Sequence, residues 1–164
     1  MILCVMLPVC AFTQHEHIEN HSTEHLYHHH HTALFLGAAT NIDIHHSAFT
    51  FGAEYEFRFI KQLGIGVFGE LITGEEKETV IGIPIVLHPM GGLKLIAAPL
   101  LVFISEHNPI EPKSEIVSHT ETGFRACAMY DIHLGKYTVS PDFSADFING
   151  HTTLVYGVAF GIGF

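Results

Sequence analysis

The sequence predicts an all-β fold, an eight-stranded antiparallel up-and-down barrel. Three observations predict it. Beyond residue 32 large apolar residues alternate with small or charged ones, the period-two pattern of strands whose successive side chains face opposite sides. The pattern recurs in eight segments, an even number that lets an antiparallel sheet close on itself. Short turn signals separate most of them, such as Met90-Gly91-Gly92 and Asn149-Gly150.

The segments are expected at 33–42, 47–59, 63–72, 79–88, 93–104, 118–131, 136–147 and 153–164. The second alternates Phe49, Phe51, Tyr55, Phe57 and Phe59 with Thr50, Gly52, Glu54, Glu56 and Arg58. The third alternates Leu63, Ile65, Val67 and Leu71 with Gly64, Gly66, Phe68 and Glu70. In the fourth, Pro84 interrupts the pattern, and the fifth, which contains Pro99, is apolar on both faces. The sixth sets Thr120, Thr122, Phe124, Ala126, Ala128 and Tyr130 against His119, Glu121, Gly123, Arg125, Cys127 and Met129. The seventh sets Val139, Pro141, Phe143 and Phe147 against Ser140, Asp142, Ser144 and Asp146. The eighth sets Leu154, Tyr156, Val158, Phe160, Ile162 and Phe164 against Val155, Gly157, Ala159, Gly161 and Gly163. A proline deletes a ladder donor, so Pro84, Pro99 and Pro141 mark bulges or strand ends.

Period alone does not say which face points out. The bulky apolar face suits lipid, and the face of glycines and charges suits the interior of an eight-stranded barrel, which is only just wide enough for side chains. Most segments reach the ~9–11 residues that a tilted strand needs to cross a bilayer. The barrel is therefore expected to be transmembrane. Glu54, Glu56, Arg58, Glu70, Glu121, Arg125, Asp142 and Asp146 are expected in the lumen, with Glu121 and Arg125 in contact on one strand face. With both chain termini in the periplasm, short turns near 60–62, 89–92 and 132–135 are periplasmic, and the longer connections face outward.

Composition fits. Hydrophobic residues make up 48% and charged residues 15%, which excludes a disordered chain. Lys and Arg total 7 against 17 Asp and Glu, a poor balance for binding nucleic-acid phosphates. No apolar run is long enough for a membrane-spanning helix. Residues 1–13 read as a signal peptide, with Ala11-Phe12-Thr13 as the small-residue cleavage region. Without them Cys127 is the only cysteine, which excludes a disulfide framework and a cysteine-based zinc knuckle.

On these alternating strands, and above all on the last one ending in Phe164, the chain resembles the small eight-stranded outer-membrane barrel proteins of bacteria. The resemblance covers residues 33–164. It implies an outer-membrane location, outer-membrane lipid as surroundings, and recognition of Phe164 and its strand by the barrel-assembly machinery. No Trp is present, so Phe and Tyr must form the interfacial girdles.

Residues 14–32 form a second, His-rich region expected to be a flexible periplasmic segment. His15, His17, His21, His25, His28, His29, His30 and His31 are the candidate metal ligands, because neutral imidazole binds zinc, copper and nickel. No cofactor is required by the sequence. A further group, His45, His46, His107, His119 and His151, is expected at the outer rim, whereas His88 and His133 read as turn residues. Two other functions compete with a non-enzymatic barrel. His45-His46-Ser47, with Glu54 or Glu121 as the acid, has the spacing of an outer-membrane lipid hydrolase, and its Ser47 must meet an imidazole to act. A soluble lipocalin-like barrel with an apolar interior has the same period and the opposite facing.

Overall fold

The computed structural model describes residues 28–74, 77–106 and 117–164. The strands are β1 (His30–Asn41), β2 (His46–Ile60), β3 (Leu63–Thr73), β4 (Lys77–Gly82), β5 (Ile85–Met90), β6 (Leu93–Glu106), β7 (Val117–Tyr130), β8 (Ile132–Leu134), β9 (Tyr137–Ile148) and β10 (His151–Gly163). All pairings are antiparallel, and β10 pairs β1, so the sheet closes. β4 and β5 lie on one line between β3 and β6, and β8 continues β7. The barrel thus has the eight expected strands, two of them broken.

The breaks fall at the prolines. β3 pairs β4 as far as Phe68↔Gly82 and pairs β5 from Ile65↔Ile85. Pro84 stands in that gap, with no N–H to give, and only its carbonyl is used, by Gly66 N at 2.9 Å. Pro99 lies across from the same gap, where its carbonyl accepts from Ile83 N at 3.4 Å. Pro141 sits where the pairing of β9 passes from β7 to β8. β1 begins at His30, three residues ahead of the expected boundary. His30 completes the last rung of the seam, donating its N–H to Phe164 O at 3.1 Å and accepting from Phe164 N at 3.0 Å. His30, His31 and Thr32 are therefore barrel residues and not part of a flexible segment.

Facing follows the expectation. Phe143 is 55% exposed and Phe160 51%, while Glu56, Glu70, Arg125 and Asp146 are buried. A soluble lipocalin-like barrel requires the reverse order, so that reading is excluded. Phe35 and Phe68 depart from the bulky-outward rule: both point inward and are buried. The Phe35 ring lies across Gly37 and Gly157, which form a rung of β1 and β10. β6, apolar on both faces, supplies Ala98, Leu100 and Val102 to the interior, where they meet Val80.

A Cβ at Gly157 would stand 2.7 Å from Gly37 Cα and 2.8 Å from Phe35 Cε2, and closer still to the Leu36 carbonyl. Backbone atoms cannot yield as a side-chain end can. Gly157→Val is expected to destabilise the barrel by ~1–3 kcal/mol or more. Gly69→Ala, where nothing lies within 4 Å, should stay within about ±0.5 kcal/mol. Urea unfolding of both variants in detergent micelles measures the difference, and equal midpoints would refute the close-approach argument.

Candidate functional site

The barrel has a near end, where β1 begins and β10 finishes, and a far end. Alternation delivers charged side chains into the lumen at two levels. In the middle, Arg125 from β7 is held by carboxylates of two other strands. Its Nε donates to Asp146 Oδ1 at 2.6 Å and its Nη2 to Asp146 Oδ2 at 2.7 Å. Nη2 also donates to Glu70 Oε2 at 2.8 Å, and Nη1 donates to Glu70 Oε1. The Phe68 ring stacks on the guanidinium, its centroid 4.7 Å from Cζ. Arg125↔Asp146 is a rung of the sheet, so the pair is fixed by register.

Nearer the near end lies a second group. Glu56 Oε1 accepts from Arg58 Nε at 3.0 Å and from His88 Nε2 at 2.6 Å. Lys94 Nζ lies 3.0 Å from Asp131 Oδ2 and 3.6 Å from Glu56 Oε2. Ser140 Oγ donates to Asp131 Oδ1 at 2.7 Å. A cavity of about 30 Å³ separates the two groups, lined by Glu54, Glu56, Glu70, Lys94, Arg125 and Asp142 among others. That is room for about one water molecule. Asp142 accepts from Cys127 Sγ at 3.2 Å. Toward the far end the lumen is filled by Ile72, Val80, Leu100, Val102 and Val155, all buried.

Two sequence expectations are corrected here. Arg125 bonds Glu70 and Asp146 rather than Glu121, whose carboxylate lies 3.5 Å from His119 instead. Neighbours two and four along a strand share a face, but cross-strand partners are closer. His88 is no turn residue: it is a member of the lumen network. Lys94 and Asp131, among the most buried charges, were missed. Their signal was parity, since Lys94 shares its face with Ala98 and Leu100.

The candidate metal ligands divide. His15, His17, His21 and His25 lie outside the described residues. His28 packs its ring over Gly163, where a Cβ would stand 2.7 Å from His28 Cδ2. His29 Nδ1 donates to the Arg58 carbonyl at 3.0 Å. His30 shares a 2.7 Å hydrogen bond with the Tyr55 hydroxyl and stacks on Phe164, centroids 5.5 Å apart. His31 is buried in the lumen, 3.0 Å from Thr138 Oγ1. Adjacent strand residues face opposite sides, so His30 and His31 cannot share an ion while β1 is paired. Among the described residues no three His, Cys, Asp or Glu side chains are arranged to hold a metal.

At the far rim His151 Nδ1 donates to Asp43 Oδ2 at 3.0 Å, with both groups exposed, and His119 keeps to Glu121. His107 lies outside the described residues. Ser47 Oγ is hydrogen-bonded to Thr40 Oγ1 at 2.8 Å. The His-x-Ser spacing thus ends in a hydroxyl pair, not in the serine–imidazole contact that nucleophilic catalysis needs.

No protein-family model and no curated protein matches the chain. Solved structures do match in fold. The N-terminal β-barrel domain of Pseudomonas aeruginosa OprF superposes with a TM-score of 0.55 at 11% identity, over 82% of this chain and 98% of that one. The attachment invasion locus protein Ail of Yersinia pestis, in complex with the heparin analogue sucrose octasulfate, gives 0.56 at 8%, over 82% and 96%. Neisserial surface protein A gives 0.56 at 9%, over 82% and 96%. Identities this low establish the fold.

Removing Arg125 strands two buried carboxylates. Arg125→Met is expected to cost about 3–5 kcal/mol of stability. The triple change Arg125→Met, Glu70→Gln, Asp146→Asn should recover part of that loss, because it removes the uncompensated charges. Unfolding midpoints in micelles measure both, and a triple variant weaker than the single one would contradict the charge argument.

Proposed function

We propose that the chain is a non-enzymatic integral protein of the bacterial outer membrane, closed rather than porous, with a His-rich periplasmic segment that binds transition-metal ions. One observation carries the membrane reading: the wall is apolar outside and ion-paired inside. Leu34, Phe49, Ile83, Phe124, Phe143 and Phe160 are exposed around the wall, far more apolar surface than a soluble monomer tolerates. The sheet closes through β10 and β1, which removes the edge strands that lipid does not tolerate. Tyr55, Phe57, Tyr130, Tyr137 and Phe164 supply near-end aromatics in place of Trp.

The lumen supports closure. Its middle is bridged by Arg125, its far part is packed with apolar side chains, and its cavity is water-sized. Interaction with other molecules therefore falls to the rims and the outer wall. The sulfated ligand of Ail is a poor guide here. Among the described residues, the far-end connections and strand ends hold Asp43, Glu78 and Glu121 against Lys77, which repels polyanions.

For the metal reading, His29, His30 and His31 are engaged by barrel groups, so the ligands are His15, His17, His21 and His25, and zinc, copper or nickel are the ions that imidazole favours. Separation of cells into soluble, inner-membrane and outer-membrane pools tests the location; recovery in the soluble pool without detergent ends the membrane reading. Calorimetric titration of the full chain with Zn²⁺, Cu²⁺ and Ni²⁺ tests the segment. Replacing His15, His17, His21 and His25 by Asn should abolish most uptake and leave the unfolding midpoint unchanged. Undiminished uptake would overturn the assignment.

A further inference from the structure

The outer wall is not uniform. Across the seam, where β9, β10 and β1 meet near the near end, lies a groove of about 430 Å³. Two rungs form it. Thr32, Ile162 and Tyr137 stand side by side in one, and Leu34, Phe160 and Val139 in the next. Leu34, Phe160 and Tyr137 stand out from the wall as the most exposed of these side chains, and between them the surface drops to Thr32, Val139 and Ile162. The groove is shallow and open along the wall, and its lining is apolar apart from the threonine and tyrosine hydroxyls.

What the groove takes is indicated by the charge at its mouth. Lys136, in the turn that leads into β9, holds its ammonium 5.3 Å from the centroid of the Tyr137 ring. The near-end connections carry Lys61, His133 and Lys136 and no acidic residue outside the buried Asp131. The far end has the opposite balance, as described above. An amphiphile that lays a chain in this groove thus meets a cation at the near rim.

We infer that the seam groove and Lys136 form a binding site for one anionic glycerophospholipid. An acyl chain lies against Val139, Phe160 and Ile162, and the phosphate sits at the Lys136 ammonium. Tyr137 fixes both parts: its ring is a groove wall and also the platform for the cation. A zwitterionic lipid offers the same chain but carries its own ammonium, which competes at the same point. The inference rests on the membrane reading above.

The test is native mass spectrometry of the full chain released from nanodiscs holding phosphatidylglycerol and phosphatidylcholine in equal amounts with the same acyl chains. One phosphatidylglycerol adduct is expected in roughly fivefold excess over phosphatidylcholine, the preference one lysine supplies near a membrane surface. Lys136→Gln should erase the preference. Lys61→Gln, on a different turn of the same rim, should leave it. Val139→Trp fills the groove and should lower both adducts; Leu34→Ala, which takes down a wall, serves if that variant does not fold. Equal retention of the two lipids by the unaltered protein overturns the site. So does a preference that survives Lys136→Gln, a dimer that excludes lipid, or an adduct seen only after residues 1–27 are removed. A protein that needs no detergent ends the membrane reading itself, whereas one that needs detergent and shows no lipid preference ends only the groove.

Discussion

Arg125 is a full positive charge in the middle of a protein whose outside is apolar. Water cannot neutralise it there, so the chain must, and it does so with Asp146 across one rung and Glu70 from the opposite direction. The same need recurs one level down, where Glu56 and Asp131 collect Arg58, His88 and Lys94. A buried charge left alone is far more costly than a buried pair. The carboxylates and cations come from β2, β3, β5, β6, β7 and β9, with Asp131 contributed from the link between β7 and β8. Only the closed sheet brings them together, so closure and charge pairing stand or fall as one.

Closing a narrow barrel is also a problem of volume. The rung Gly37↔Gly157 has no side chains, and the Phe35 ring takes the space. Further down the seam, the bare faces of Gly161 and Gly163 accept the imidazoles of His31 and His28. The prolines are placed with similar economy. Pro84, Pro99 and Pro141 each stand where the ladder already changes partner, so the lost N–H falls at a break instead of opening a new one. The sheet therefore stays paired along its length although two of its strands are interrupted.

These constraints direct function away from the lumen. With its centre bridged and its far part packed, the barrel offers its rims and its outer wall. The rims differ in sign, acidic at the far end and basic at the near end. The seam at the near end joins an apolar groove to a lysine. It also explains why the histidine run splits. His30 and His31 are drawn into β1 by the rung with Phe164 and by the hydrogen bond with Thr138.

Much of this was legible in the residues. Strict alternation fixes which side chains share a face, so the eight segments, the outward Phe and Tyr, and the inward Glu70, Arg125, Asp142 and Asp146 follow from period two and from the width of a barrel. The short connections at the near end follow as well. Pairing did not. Glu121 sits on the same face as Arg125 four residues away, yet Glu70 takes the guanidinium from β3, fifty-five residues away, because distance across a sheet is set by register and not by sequence. Likewise His88 read as a turn residue, and Lys94 was given no role, until the sheet closed around Glu56 and Asp131. Sequence periodicity determined the faces of this protein; only the tertiary structure decided the partners, since a lumen exists only once the first strand meets the last.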